Sequence, residues 1–135
     1  MQYLKNKIMK EYFRRIKGVA IEFNCPCCGK NKMNQDFLAL LRDAREFCRT
    51  PFIINSGYRC EKHNKKVGGK EKSTHRVGSA ADIHCTESRQ RAMILCGLLE
   101  AGFSRIGIAK TFIHVDMADR LEGEDKKVEA VFWLY

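Results

Sequence analysis

No stretch of this 135-residue chain approaches the ~20 consecutive apolar residues that a helix needs to cross a bilayer, so membrane insertion is not expected. Proline is scarce, with two residues against ten glycines, which excludes collagen-like chains and Pro/Gly-rich disorder. There is no internal repeat, which removes solenoid and propeller architectures, and no low-complexity tract. The N-terminal stretch MQYLKNKIMKEYFRRIK carries charge throughout and lacks an uninterrupted apolar h-region. It is therefore not read as a Sec signal peptide, and synthesis in the cytoplasm is expected. Acidic side chains are outnumbered, 16 against 25 Lys and Arg, for a formal charge of +9. That balance attracts polyanions, and it suits nucleic acid and an anionic cell-wall polymer equally. No known nucleic-acid-binding signature accompanies it, so nucleic acid is not an expected partner.

What is present describes one ordinary globular domain spanning residues 1–135, with an N-terminal helix in 1–20 and a core in 21–135. Leu4, Ile8, Tyr12 and Ile16 share one stripe and predict an amphipathic helix over residues 2–17. Asn34 is a candidate cap for a helix carrying Phe37, Leu38, Leu41, Ala44, Arg45 and Cys48 at helical spacing. Pro51 ends it, and residues 52–55 form a short strand. A short helix follows from Cys60 to Val67, closed by Gly68-Gly69. Thr86 is the expected cap of a fourth helix that stops at Gly102. Strands are expected at residues 104–109, 111–116 and 128–135. Connections this short favour antiparallel pairing, hence an α+β domain with a small antiparallel sheet of about four strands and helices packed around it.

The seven cysteines are odd in number and irregular in spacing, which in a chain without a signal peptide favours reduced thiols over a disulfide framework. Cys25-Pro26-Cys27-Cys28-Gly29 raises the question of a zinc knuckle. No downstream CxxC pair matches it, and the preferred reading is a compact turn with free thiols.

The chemistry concentrates between Ser56 and Asp82, SGYRCEKHNKKVGGKEKSTHRVGSAAD, and in the later segment Phe112-Ile113-His114-Val115-Asp116. His75, Asp82 and His114 offer two imidazoles and a carboxylate, the donor set of a zinc site that keeps a fourth position for water. The small residues 78–81 let the backbone pass close to such a centre before entering a strand. Alternation along that strand puts Asp82 and His84 on one face, and His84 is a second proton-handling candidate.

Ser56-Gly57-Tyr58-Arg59, His63-Asn64, Val67-Gly68-Gly69, Ser73-Thr74-His75, Gly78, Ala80, Asp82-Ile83, His114-Val115-Asp116 and a late tryptophan occur in this order from about Phe23 to Trp133. The series resembles the zinc D-alanyl-D-alanine carboxypeptidase family, with its LAS-type fold, and in particular the short phage and prophage branch. The resemblance implies one Zn2+ per chain on His75, Asp82 and His114. It implies a monomer that hydrolyses peptidoglycan stem peptides in the manner of an endolysin, reaching the wall after release. It also implies substrate contacts from Arg59, whose planar fork suits a carboxylate or a developing oxyanion, and from Ser73 and Tyr58. One departure stands out. Related enzymes carry Glu or Asp three residues before the last histidine ligand as general base, and here that position is Thr111. Asp116 is the nearest carboxylate by strand logic, as base or as a partner orienting His114. Without a base, the alternative is a silent zinc-binding wall or virion module.

Overall fold

The computed structural model describes residues 21–135; the helix expected over residues 2–17 lies outside them. Helix α1 (Gln35–Cys48) begins at Asn34, whose side-chain oxygen accepts the Phe37 N–H at 3.0 Å and so satisfies one of the unpaired donors of the first turn. Of the expected stripe, Phe37, Leu41, Ala44, Arg45 and Cys48 are buried and Leu38 is half-buried. The Arg45 guanidinium is sealed in by Glu22 Oε1 at 2.8 Å and the Phe52 carbonyl at 3.1 Å. Helix α2 is the short Glu61–Lys66 segment. Helix α3 (Ser88–Ala101) is capped by the Glu87 carboxylate, which accepts the Arg89 and Gln90 N–H groups. The expected cap, Thr86, is one residue too early, because a carboxylate also complements the positive helix end. Helices α1 and α3 pack on one another and bury Phe37, Leu41, Ile94 and Leu98 in one cluster with Ile83, Ile106, Ile113 and Val115 of the sheet.

Among the described residues the sheet has five strands where about four were expected: β1 (Ile54–Ser56), β2 (Ala80–His84), β3 (Arg105–Ile108), β4 (Phe112–Asp116) and β5 (Val131–Leu134), in the order β1-β2-β4-β3-β5. All neighbours are antiparallel except β3 and β5, which run parallel. The expectation of a wholly antiparallel sheet fails at this edge for a topological reason. A tight hairpin joins β3 to β4, so a chain returning past β4 to the far side of β3 must enter β5 in the direction of β3. The crossover uses the 3-10 turns Ala118–Arg120 and Gly123–Asp125.

Register turns the sheet into a site. Ser56 lies opposite Asp82, Asp82 opposite His114, His114 opposite Gly107, and Gly107 opposite Trp133. The next row on the same face holds Ala80, Asp116 and Arg105. Because side chains alternate, Ile83, Ile113, Val115 and Ile106 point the other way into the helix-covered core. One face of the same strands therefore builds stability and the other carries titratable groups.

Candidate metal centre

Ligand atoms of His75, Asp82 and His114 lie within 4.8 Å of one another, and all three residues are buried. Asp82 and His114 are adjacent because β2 and β4 pair in register. His75 comes from outside the sheet. It sits on a 3-10 turn, Thr74–Val77, whose cap is Ser73, and the turn reverses into β2 through Gly78. His75 Nε2 stands 3.3 Å from Asp82 Oδ1, and His114 Nδ1 stands 2.9 Å from the same oxygen. Ligands about 2.0 Å from a tetrahedral zinc are separated by about 3.3 Å, so little movement would seat the ion.

The second nitrogen of each imidazole is occupied, which decides the tautomer. His75 Nδ1 donates to the Gly57 carbonyl at 2.7 Å, which turns Nε2 toward Asp82 as the nitrogen that a metal would take. His114 Nε2 lies 2.8 Å from Asp116 Oδ2, which leaves Nδ1 facing Asp82. This outer set of acceptors is what a ligating histidine requires. Burial alone would lower the His114 pKa, but hydrogen bonds and charge from Asp116 and Asp82 raise it above the ordinary histidine value. Burial disfavours the charged Asp82 carboxylate, yet hydrogen bonds from His114 and His75 hold it well below the usual carboxylate range. Asp116 is likewise lowered: burial opposes ionisation, and its bond to His114 outweighs that. A divalent cation between these groups would replace the proton that His114 Nδ1 shares with Asp82, so the donor set fits zinc.

The remaining expected residues divide. Arg59 is at the centre, with Nη2 3.0 Å from Asp82 Oδ2 and Nε 2.9 Å from Ser56 Oγ. Ser73 Oγ accepts the His75 N–H at 3.3 Å, and its hydroxyl proton remains available to a ligand. Tyr58 departs from expectation. It is buried in the hydrophobic core beside the cysteine loop, so its ring is a packing element and does not face a substrate. Asp116 has both oxygens engaged: Oδ1 accepts Arg105 Nε at 2.7 Å and the Ala118 N–H at 3.0 Å, and Oδ2 meets His114. At 2% exposure it stands behind His114 and has no access to the open side, a geometry for orienting a ligand and not for taking a proton from water. His84 shares the face of Asp82 but stands one row farther along, opposite Phe112. Thr111 is exposed just before β4, its carbonyl accepting the Cys85 N–H.

Sequence reasoning missed two contributors and left a third, Trp133, without a role. The Gly57 carbonyl carries no side-chain signal at all. Arg105 could have been found only from register, since it pairs with Asp116 across β3 and β4. Trp133 lies beside His114, ring centroids 5.5 Å apart, and Arg105 stacks on its other neighbourhood at 5.5 Å. Gly107 makes room for that indole: a Cβ there would fall 2.6 Å from Trp133 ring atoms.

The family described as Peptidase M15 matches residues 13–116 of the chain. That span includes every residue of the centre except Trp133. No curated protein matches.

Proposed function

The chain belongs to the peptidase M15 family, and on that premise we propose that it is a zinc-dependent peptidase hydrolysing peptidoglycan stem peptides, as a D-alanyl-D-alanine carboxypeptidase or as an endopeptidase. The observation that carries the reading is the convergence of His75 Nε2, His114 Nδ1 and Asp82 Oδ1, with each imidazole's other nitrogen already committed to Gly57 or Asp116. Zinc held by three protein ligands supplies Lewis acidity for polarising a carbonyl and for ionising water near neutral pH.

The protein groups have separate tasks in this scheme. Asp116, anchored by Arg105, fixes the His114 ring and its tautomer, and the Gly57 carbonyl does the same for His75. Arg59 braces Asp82 through one amino group and offers its remaining N–H donors to the substrate's carboxylate or to the oxyanion that develops on the scissile carbonyl. Ser73 positions the peptide through its hydroxyl. Trp133 and its neighbour Tyr135, ring centroids 6.3 Å apart, wall one side of the site. The net charge of +9 concentrates the protein on anionic wall polymers, an association that added salt weakens.

The engagement of both Asp116 oxygens, together with Thr111 at the usual acidic position, favours one competing reading: a zinc-binding wall module without turnover. Digestion of purified peptidoglycan, followed by mass spectrometry of the muropeptides, separates the two. Cleavage abolished by chelator and restored by zinc establishes the peptidase. Wall binding without cleavage at saturating zinc establishes the silent module.

A further inference from the structure

Away from the centre, Cys60 meets the Cys25–Cys28 loop. Ligand atoms of Cys25, Cys27 and Cys60 lie within 4.8 Å of one another, and Cys28 follows Cys27 directly on the same loop. We propose that Cys25, Cys27, Cys28 and Cys60 form a second metal site, a closed four-thiolate zinc centre with a structural role. The reading stands independently of the peptidase assignment, because it shares no ligand with His75, Asp82 or His114.

Three features of the loop support it. Cys25 and Cys28 are themselves spaced as CxxC within Cys-Pro-x-Cys-Gly, a chelating interval hidden by the intervening Cys27. The partner sought downstream as a second CxxC is instead the single residue Cys60, delivered by the turn after β1. The loop is folded back tightly, with the Gly29 N–H on the Cys25 carbonyl at 2.8 Å and the Cys25 N–H on the Lys30 carbonyl at 2.8 Å. Gly29 takes φ +72°, which a side chain would resist. The His63 N–H donates to Cys60 Sγ at 3.4 Å. Such donors stabilise thiolates and orient them, as outer partners do around metals. Four thiolates around zinc leave no position for water, so the site is structural and not catalytic.

The consequence lies in what the clamp holds. Between the two halves of the cluster runs Gly57-Tyr58-Arg59, tied to the loop by the Tyr58 N–H on the Phe23 carbonyl at 2.9 Å. Gly57 supports His75, and Arg59 supports Asp82. A zinc ion on the thiolates would therefore stiffen the supports of the histidine centre.

The full chain, prepared reduced and loaded with zinc, should hold two equivalents. His75→Ala combined with His114→Ala should keep one, and cobalt(II) in its place should show thiolate-to-metal charge-transfer absorption. Cys25→Ser combined with Cys60→Ser should also keep one equivalent, without that band. Should the cysteine variant not fold, alkylation of the unaltered chain decides. Cys27, Cys28 and Cys96 are all exposed, so zinc should slow the first two at least tenfold relative to Cys96, and chelator should abolish the difference. A single equivalent lost with the two histidines, no charge-transfer band, or equal alkylation of all three thiols overturns the proposal. Protection relieved by reductant but not by chelator means a disulfide, and overturns it as well.

Discussion

The histidine centre and the cysteine corner both gather side chains that are distant in sequence, yet they do so by different physics. At the centre, Asp82 and His114 are neighbours because two strands pair in register, and the opposite faces of those strands are locked into the core by Ile83, Ile113 and Val115. At the corner, a tight loop and the turn before a short helix are brought together; Cys25 is buried against the core beside Phe23 and Tyr58, whereas Cys27 and Cys28 stay exposed. The sheet therefore preorganises the first site before any ion arrives, and its free energy comes mostly from packing. The second depends on the ion itself, as small closed thiolate sites do.

The sharpest way to break this contrast is at a ligand. His114→Ala should reduce peptidase activity to the level seen with chelator and remove the corresponding zinc; the melting temperature should fall, because Asp82 and Asp116 lose their buried partner, but the fold should persist because the core face is untouched, and its collapse would show that the centre is not preorganised. The same residue gives a pH test. Its pKa is raised by Asp116 and Asp82 against the effect of burial, so protons compete with metal at Nδ1. Zinc affinity measured by competition titration should rise with pH through and above about 6.5 and level off once the imidazole is neutral. Without metal the sign is opposite. A raised folded-state pKa gives stability that is full below the unfolded value and lost as pH rises through the folded one, so denaturation curves of chelated and zinc-loaded protein should diverge as pH increases.

Asp116→Asn removes the charge behind His114 and should lower zinc affinity or activity by about 10–100-fold, the usual effect of changing a partner of a ligating histidine. Full zinc occupancy with no turnover would instead identify Asp116 as the base. Gly107→Ala tests the wall of the site. The new Cβ would meet the Trp133 ring at 2.6 Å, costing about 1–3 kcal/mol by overpacking. Melting temperature and the fluorescence of this single tryptophan report the displacement. The smallest effect belongs to the corner: Gly29→Ala meets no atom within 4 Å but must hold φ +72°, for about 1–2 kcal/mol of strain. Activity should be nearly unchanged at saturating zinc, with a lower melting temperature.

Much of this architecture could be read directly from residue order. The stripe of Phe37, Leu41, Ala44 and Cys48, the cap at Asn34, the stop at Gly102 and the alternation through Phe112–Asp116 are local patterns, and local sterics and hydrogen bonding enforce them wherever the chain goes. The His-Asp-His donor set was likewise recognisable by residue type and order. What only the assembled sheet decided was pairing: that Asp82 faces His114, that Arg105 takes one oxygen of Asp116 while His114 meets the other, and that β5 returns parallel to bring Trp133 beside the centre. The same holds for Cys60, whose meeting with the Cys25–Cys28 loop has no local signature. Propensity and periodicity act over a few residues, whereas register and chain crossover depend on which strands share a core, and that is settled only when the whole domain closes.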